Sequence, residues 1–186
     1  MSAAGREKLR SAPKEKQLFA LRFGTMTDLG SINPVWNAPR ESADRSVNVT
    51  PCDPIEMRLL DVRIPWEPSS FVEDSDRKNV YFELKDSGVL AFLQHQEDML
   101  AEEGGLVNCC MAKPGLLRCK INVKQVNVFD KDRRTVDAPP KYANWMCNVL
   151  VKLIGKWQTP DGNACGLNLQ ATDVQLLRPY RRECPF

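Results

Sequence analysis

Apolar and polar residues alternate with period two over two neighbouring stretches, CNVLVKLIGKWQ from Cys147 and ACGLNLQATDVQLL from Ala164. In the first, Val149, Val151 and Leu153 share one side, and Leu150, Lys152, Ile154 and Lys156 share the other. In the second, Leu167, Leu169 and Ala171 alternate with Asn168, Gln170 and Thr172. Period two with β-branched residues is a strand signal. Between them lies Thr159-Pro160-Asp161-Gly162-Asn163, where Pro presets φ and Gly and Asn tolerate a reversal. The pattern predicts a β-hairpin with one apolar face. Its other face carries Lys152, Lys156, Asn168 and Gln170, with Trp157 near the tip. Such a face is either solvated sheet or a surface for a flexible, anionic ligand.

Further strands follow from the same reasoning. QLFALRFG (Gln17–Gly24) alternates, and Thr25–Thr50 reads as loop, with Trp36 plugging the core or stacking on a ligand. Glu56–Pro65 is a strand with Leu60, Val62 and Ile64 on one face, and Ser69–Lys78 is an acidic turn region. Asn79–Leu84 is a short strand. Asp86 or Ser87 N-caps a helix running to about Glu103 and ending at Gly104-Gly105. Its apolar stripe is Val89, Leu90, Phe92, Leu93, Met99 and Leu100. Gln94, Gln96, Glu97, Asp98, Glu102 and Glu103 are expected to face water. Leu106–Met111 is a further candidate strand before a turn at Lys113-Pro114-Gly115. Leu116–Phe129 is a strand whose apolar phase slips between Val123 and Val126, which predicts a bulge or sharp bend near Lys124-Gln125. Asp130–Arg134 is a charged turn, and Asp137–Trp145 is a proline-led loop.

These elements give a mostly β protein with one substantial α-helix. The expected organisation is a basic, disordered arm over 1–16, one domain over 17–177 and a short basic tail over 178–186. A chain of 186 residues is long enough to bury a core. No run approaches a membrane span, and no apolar segment follows the charged N-terminus as in a secretory signal. Seven cysteines, an odd number without a CxxC pair, read as thiols in an intracellular, reducing compartment.

Charge is segregated along the chain. Residues 53–104 hold thirteen acids and five Lys or Arg, whereas 113–157 hold ten Lys or Arg and three acids. The first 22 residues add six Lys or Arg against two acids. A basic surface on part of a fold is the electrostatic footprint of nucleic-acid binding.

Catalytic patterns are lacking. The single histidine, His95, lies on an acidic helix, and no Walker loop, GxGxxG, GxSxG or HExxH occurs. Asp130 and Asp132 could hold Mg²⁺ but more simply solvate a turn. No enzyme activity, metal or cofactor is expected. The region 113–157 instead interleaves charge with rings: Lys120, Lys124, Phe129, Lys131, Arg133, Arg134, Lys141, Tyr142, Trp145, Lys152, Lys156 and Trp157. Cations track phosphates and rings stack on unpaired bases, so this mixture suits a single strand. Asn168 and Gln170 join the same candidate surface. At least one of Phe129, Trp145 and Trp157 is expected to be a core anchor instead.

The stretches RCKINVKQVNVFDKDRR, DAPPKYANWMCNVLVKLIGKWQ and ACGLNLQATDVQLLRP resemble OB-fold single-stranded-DNA-binding proteins of DNA viruses, phages and mobile elements. The resemblance covers Cys119–Leu177, about a third of the chain. It implies a five-stranded Greek-key barrel with Lys120, Lys124, Lys152, Lys156 and Trp157 on the binding face. The helix before the lysine-rich strand departs from the simplest OB arrangement. The end Glu183-Cys184-Pro185-Phe186 is similar to tails through which replication single-strand binders recruit partners, which would make Phe186 a partner-binding residue. The expected function is non-catalytic, largely sequence-independent single-stranded DNA binding in replication or recombination. The alternatives are a virion or complex subunit that contacts nucleic acid, and an RNA-binding protein.

Overall fold

The longest strands are the predicted hairpin, β9 (Trp145–Gln158) and β10 (Ala164–Pro179). They pair antiparallel from Cys165 opposite Gln158 to Pro179 opposite Trp145. The computed structural model describes residues 29, 32–42, 46–104, 106–139 and 141–181. The predicted arm over 1–16, the strand over 17–24 and Phe186 lie outside the described residues. The remaining strands are β1 (Arg40–Glu41), β2 (Val47–Val49), β3 (Ile55–Ile64), β4 (Arg77–Glu83), β5 (Leu106–Val107), β6 (Met111–Lys113), β7 (Leu116–Asn122) and β8 (Asn127–Phe129). Helix α1 (Ser87–Glu102) lies between β4 and β7.

Five strands form a closed ring, β3-β4-β7-β10-β9 and back to β3. All its joints are antiparallel except β7 with β10. Numbered within the ring, this order is first, second, third, fifth, fourth: the closed Greek key of an OB-like barrel, as expected. β3 and β4 meet at a single register pair, Arg63 opposite Glu83. β2 and β1 extend the sheet from β9, and β5 and β8 pair with β10.

The core lines the inside of the ring. Met57, Leu59, Val80, Phe82, Leu117, Ile121, Val149, Val151, Leu169 and Val174 are all essentially inaccessible. Alternation puts every second residue of each ring strand here, at roughly 1.5–3 kcal/mol per fully buried large apolar side chain. Asp86 caps the helix as predicted, its carboxylate accepting from the Gly88 and Val89 amides at 2.8 and 3.2 Å. Val89, Phe92, Leu93 and Leu100 then face the core.

Several expectations are corrected. Leu60 is exposed, because one extra residue at Leu60-Asp61 bulges β3 between Leu59 and Val62. Asp61 takes φ 47° there and donates its amide to Asn148 Oδ1 at 3.0 Å. Gln96 and Glu97 are buried rather than solvated, and Met99 is exposed. The strand segment beside the helix accounts for Glu97: its carboxylate accepts the Cys110 amide. Leu106–Met111 is not one strand but contributes to two, β5 and β6. The phase slip in 116–129 is a sharp bend, a turn over Val123–Gln125 closed by the Val126 amide on Asn122 O.

A second extra residue decides the site. Leu169 lies opposite Leu153, yet Asn168 lies opposite Gly155, so Ile154 is the added residue of a bulge in β9. Every position beyond it changes face. Lys156 joins the inward phase of Leu167 and Val49, and Trp157 turns outward with Gly166 and Asn48. Gly155 permits this turn, since a Cβ there would stand 2.3 Å from Val49 O.

Candidate nucleic-acid interface

The outer face of β4, β7 and β10 carries Arg77 and Asn79, then Arg118 and Lys120, then Asn168 and Gln170. Register confirms the shared face: Asn79 opposes Lys120, and Lys120 opposes Gln170. Two adjoining cavities of about 290 and 630 Å³ follow this face, sharing Phe71, Asn79, Lys120, Trp157 and Asn168. One wall is the loop after β3, hydrogen-bonded to the edge of β4 by Ser69 and Asn79 in both directions. That pairing holds Phe71, fully exposed, beside the groove. The other wall is the hairpin tip with Thr159 and Pro160. Trp157 stands at the tip, its indole over Gly166, where a Cβ would come within 3.1 Å of the ring.

The groove floor is basic and carries no acid partner among the described residues. Lys120 Nζ donates to Asn79 Oδ1 at 2.8 Å. Arg118 Nη2 donates to Asn108 Oδ1 at 2.6 Å and to Cys109 O at 3.1 Å. Burial, together with Arg118 and Arg77 beside it, holds the Lys120 ammonium below the ordinary lysine range. Three clustered cations without carboxylate partners among the described residues favour an anion between them, which would relieve their mutual repulsion.

The remaining candidates are placed elsewhere or neutralised. Lys152 is outward beside Gln170 but forms an ion pair with Glu56 at 2.8 Å. Lys156 is turned inward, its ammonium held by both oxygens of Glu103 and 5.3 Å from the Trp36 ring centroid. Lys124 pairs with Asp76 at 3.0 Å. Phe129 is half-buried on β8, and Lys131, Arg133 and Arg134 are exposed on the following loop. That loop is organised by Asp130, whose carboxylate accepts the Asp132 and Arg134 amides at 2.9 Å. At the far end of β9 from Trp157, Lys141 is exposed and Trp145 packs against the core. Tyr142 is buried, so its ring faces are covered by protein rather than open to a base. The structure thus gathers Lys120, Trp157, Asn168 and Gln170, with Lys152 alongside.

Sequence reasoning missed Phe71, Arg77, Asn79 and Arg118. Arg118 shares the phase of Lys120 within LLRCKIN, so strict alternation already marked it. Arg77 and Asn79 lie in the acidic part of the chain, where regional charge counts hid them. Among the described residues no group of three or more His, Cys, Asp or Glu side chains is arranged to hold a metal ion. No described helix is long and apolar enough to cross a membrane.

No protein-family model matches the chain, and no curated protein matches it. Among solved structures it is similar to the single-stranded DNA-binding protein from bacteriophage Enc34, with a TM-score of 0.48 and 10% sequence identity. The match covers 80% of this chain and 93% of that one.

Proposed function

We propose that the protein binds single-stranded DNA without catalysis and with little sequence selectivity, in replication or recombination. The observation that carries this reading is the groove across β4 and β7. It pairs three cations lacking carboxylate partners among the described residues with the outward Trp157 ring. It also lies where OB-like barrels take oligonucleotides: on the second and third ring strands, between the loop joining the first two and the loop joining the last two. Arg77, Arg118 and Lys120 engage phosphates, Trp157 stacks on a base, and the amides of Asn79 and Asn168 adapt to either base edge or sugar. The intracellular, reducing setting expected from the sequence suits thiols such as Cys110, Cys119, Cys147 and Cys165, all buried and outside any disulfide. Recruitment of replication or recombination proteins through Phe186 belongs to the same reading.

The test is a fluorescence titration with oligo-dT, oligo-U and duplex DNA at several salt concentrations. Tight oligo-dT binding with tryptophan quenching and a weaker response to duplex is the expected result. Equal, weak binding to all three polyanions overturns it in favour of a subunit with a merely basic surface. Preference for oligo-U assigns the groove to RNA.

A further inference from the structure

The groove does not end at Arg118. On the outer face of β4 the next side chain after Asn79 is Tyr81, directly opposite Arg118 on β7. The step from Asn79 to Tyr81 is about 7 Å along the strand. Beside Tyr81 stands Trp66, the two ring centroids 5.5 Å apart and nearly perpendicular. Trp66 is 52% exposed, a large apolar surface that the core does not use.

The acids near these rings are already engaged. Glu83, next along the outer row, is paired with Arg63 at 3.1 Å. Both carboxylate oxygens of Glu67 accept backbone amides, from Tyr142 at 3.0 Å and Ala143 at 2.9 Å. The neighbouring ring of Tyr180 is not available in the same way, because the Arg63 guanidinium lies 4.1 Å over its centroid.

We propose that Trp66 and Tyr81 form a second stacking station for the same single strand. The strand then runs from Trp157, over Lys120 and Arg118, to Trp66. This inference rests on the single-strand reading above and adds the strand's exit path and the length it requires. A short oligonucleotide fills the groove alone, whereas a longer one reaches both stations.

The experiment compares wild type, Trp66→Ala, Trp66→Phe and Trp157→Ala as full chains. Each is titrated with oligo-dT of about 4 and about 15 nucleotides, the span of site sizes known for OB folds. Trp66→Ala should weaken binding of the longer oligonucleotide by roughly 10-fold and leave the shorter one unchanged, as expected for one lost stacking contact. Trp66→Phe should recover most of the loss. The second station is overturned if Trp66→Ala matches wild type on both lengths, or loses equally on both. If Trp157→Ala weakens binding while Trp66→Ala does not, only the second station fails. If wild type binds neither oligonucleotide, the single-strand reading fails and takes this inference with it. Should Trp66→Ala not fold, photocrosslinking of wild type to a halogenated deoxyuridine 15-mer decides the matter. A crosslinked peptide containing Trp66 supports the station, and crosslinks confined to the Trp157 peptide overturn it.

Discussion

Lys120 and Lys152 flank the same residue, Gln170, from the two strands on either side of β10. Both point outward, yet they meet different company. Lys152 faces Glu56 across β3, and the pair cancels. Lys120 faces the amide of Asn79 and sits beside Arg77 and Arg118, so its charge is left for a ligand. The same cancellation holds for Lys124 with Asp76 and for Lys156 with Glu103. In all three cases the lysine comes from the basic stretch of the chain and the acid from the acidic stretch. Part of the charge segregated in sequence is neutralised in space, and the cations left for a ligand are identified by their neighbours, not by their region.

Replacing Arg118 and Lys120 together by Ala should produce the largest effect. At about 1.5 kcal/mol per charged contact, affinity for oligo-dT should fall on the order of 100-fold. The slope of log K against log salt should flatten by roughly 1.4, about 0.7 for each phosphate released. Lys152→Ala should leave the slope nearly where it was. A Lys152→Ala slope as flat as that of the double variant would erase the distinction between the two regions.

Trp157→Ala should come next. Its ring lies on the outer face, so binding should weaken by roughly 1–3 kcal/mol with little change in Tm. A normal binder that melts far below the parent would place the ring's contribution in the fold.

Breaking the neutralised side should do less. Lys152→Ala removes a partly exposed ion pair and should lower stability by about 0–1 kcal/mol, read from urea midpoints. A larger loss would show that the pair holds β3 to β9.

The smallest effect is one of pH. The ammonium of Lys120 is held below the usual lysine range by burial and by Arg118 and Arg77. A bound phosphate favours the charged form and pulls its pKa back up, so binding takes up a proton in the alkaline range. Affinity should therefore decline as pH rises there, earlier than for an ordinary surface lysine. Lys120→Arg should flatten that decline, and an unchanged profile in the variant would assign the titration to another group.

The hairpin, the capped helix and the long ring strands were legible because alternation and capping act over a few residues, whereas the short β1 and β2 fell in a stretch read as loop. Faces were legible only until a bulge intervened. Leu60 and Lys156 both lie at or beyond an added residue, and alternation assigned each to the wrong side. Part of the site was readable, since Lys120, Asn168 and Gln170 alternate as expected. Phe71, Arg77 and Asn79 were not, because what places them is the pairing of β4 with β7 and of Ser69 with Asn79, contacts with no local signature. Neutralisation was the least readable of all, as Glu56 and Lys152 lie almost a hundred residues apart and meet only through the β3–β9 register.

A ring of paired strands opens at its thinnest joint. Here that joint is β3 with β4, one register pair against seven between β4 and β7. The molecule is therefore built as two leaves, β4 with β7 on one side and the β3–β9–β10 sheet on the other, held at this edge by Arg63 and Glu83. Backbone amides at Arg63 and Glu83 should exchange with solvent through parting of the leaves, ahead of those in the middle of β9, which exchange only when the whole barrel unfolds. The groove floor belongs to the first leaf and Trp157 to the second, so a strand lying across both would act as a splint, slowing exchange at the β3–β4 seam.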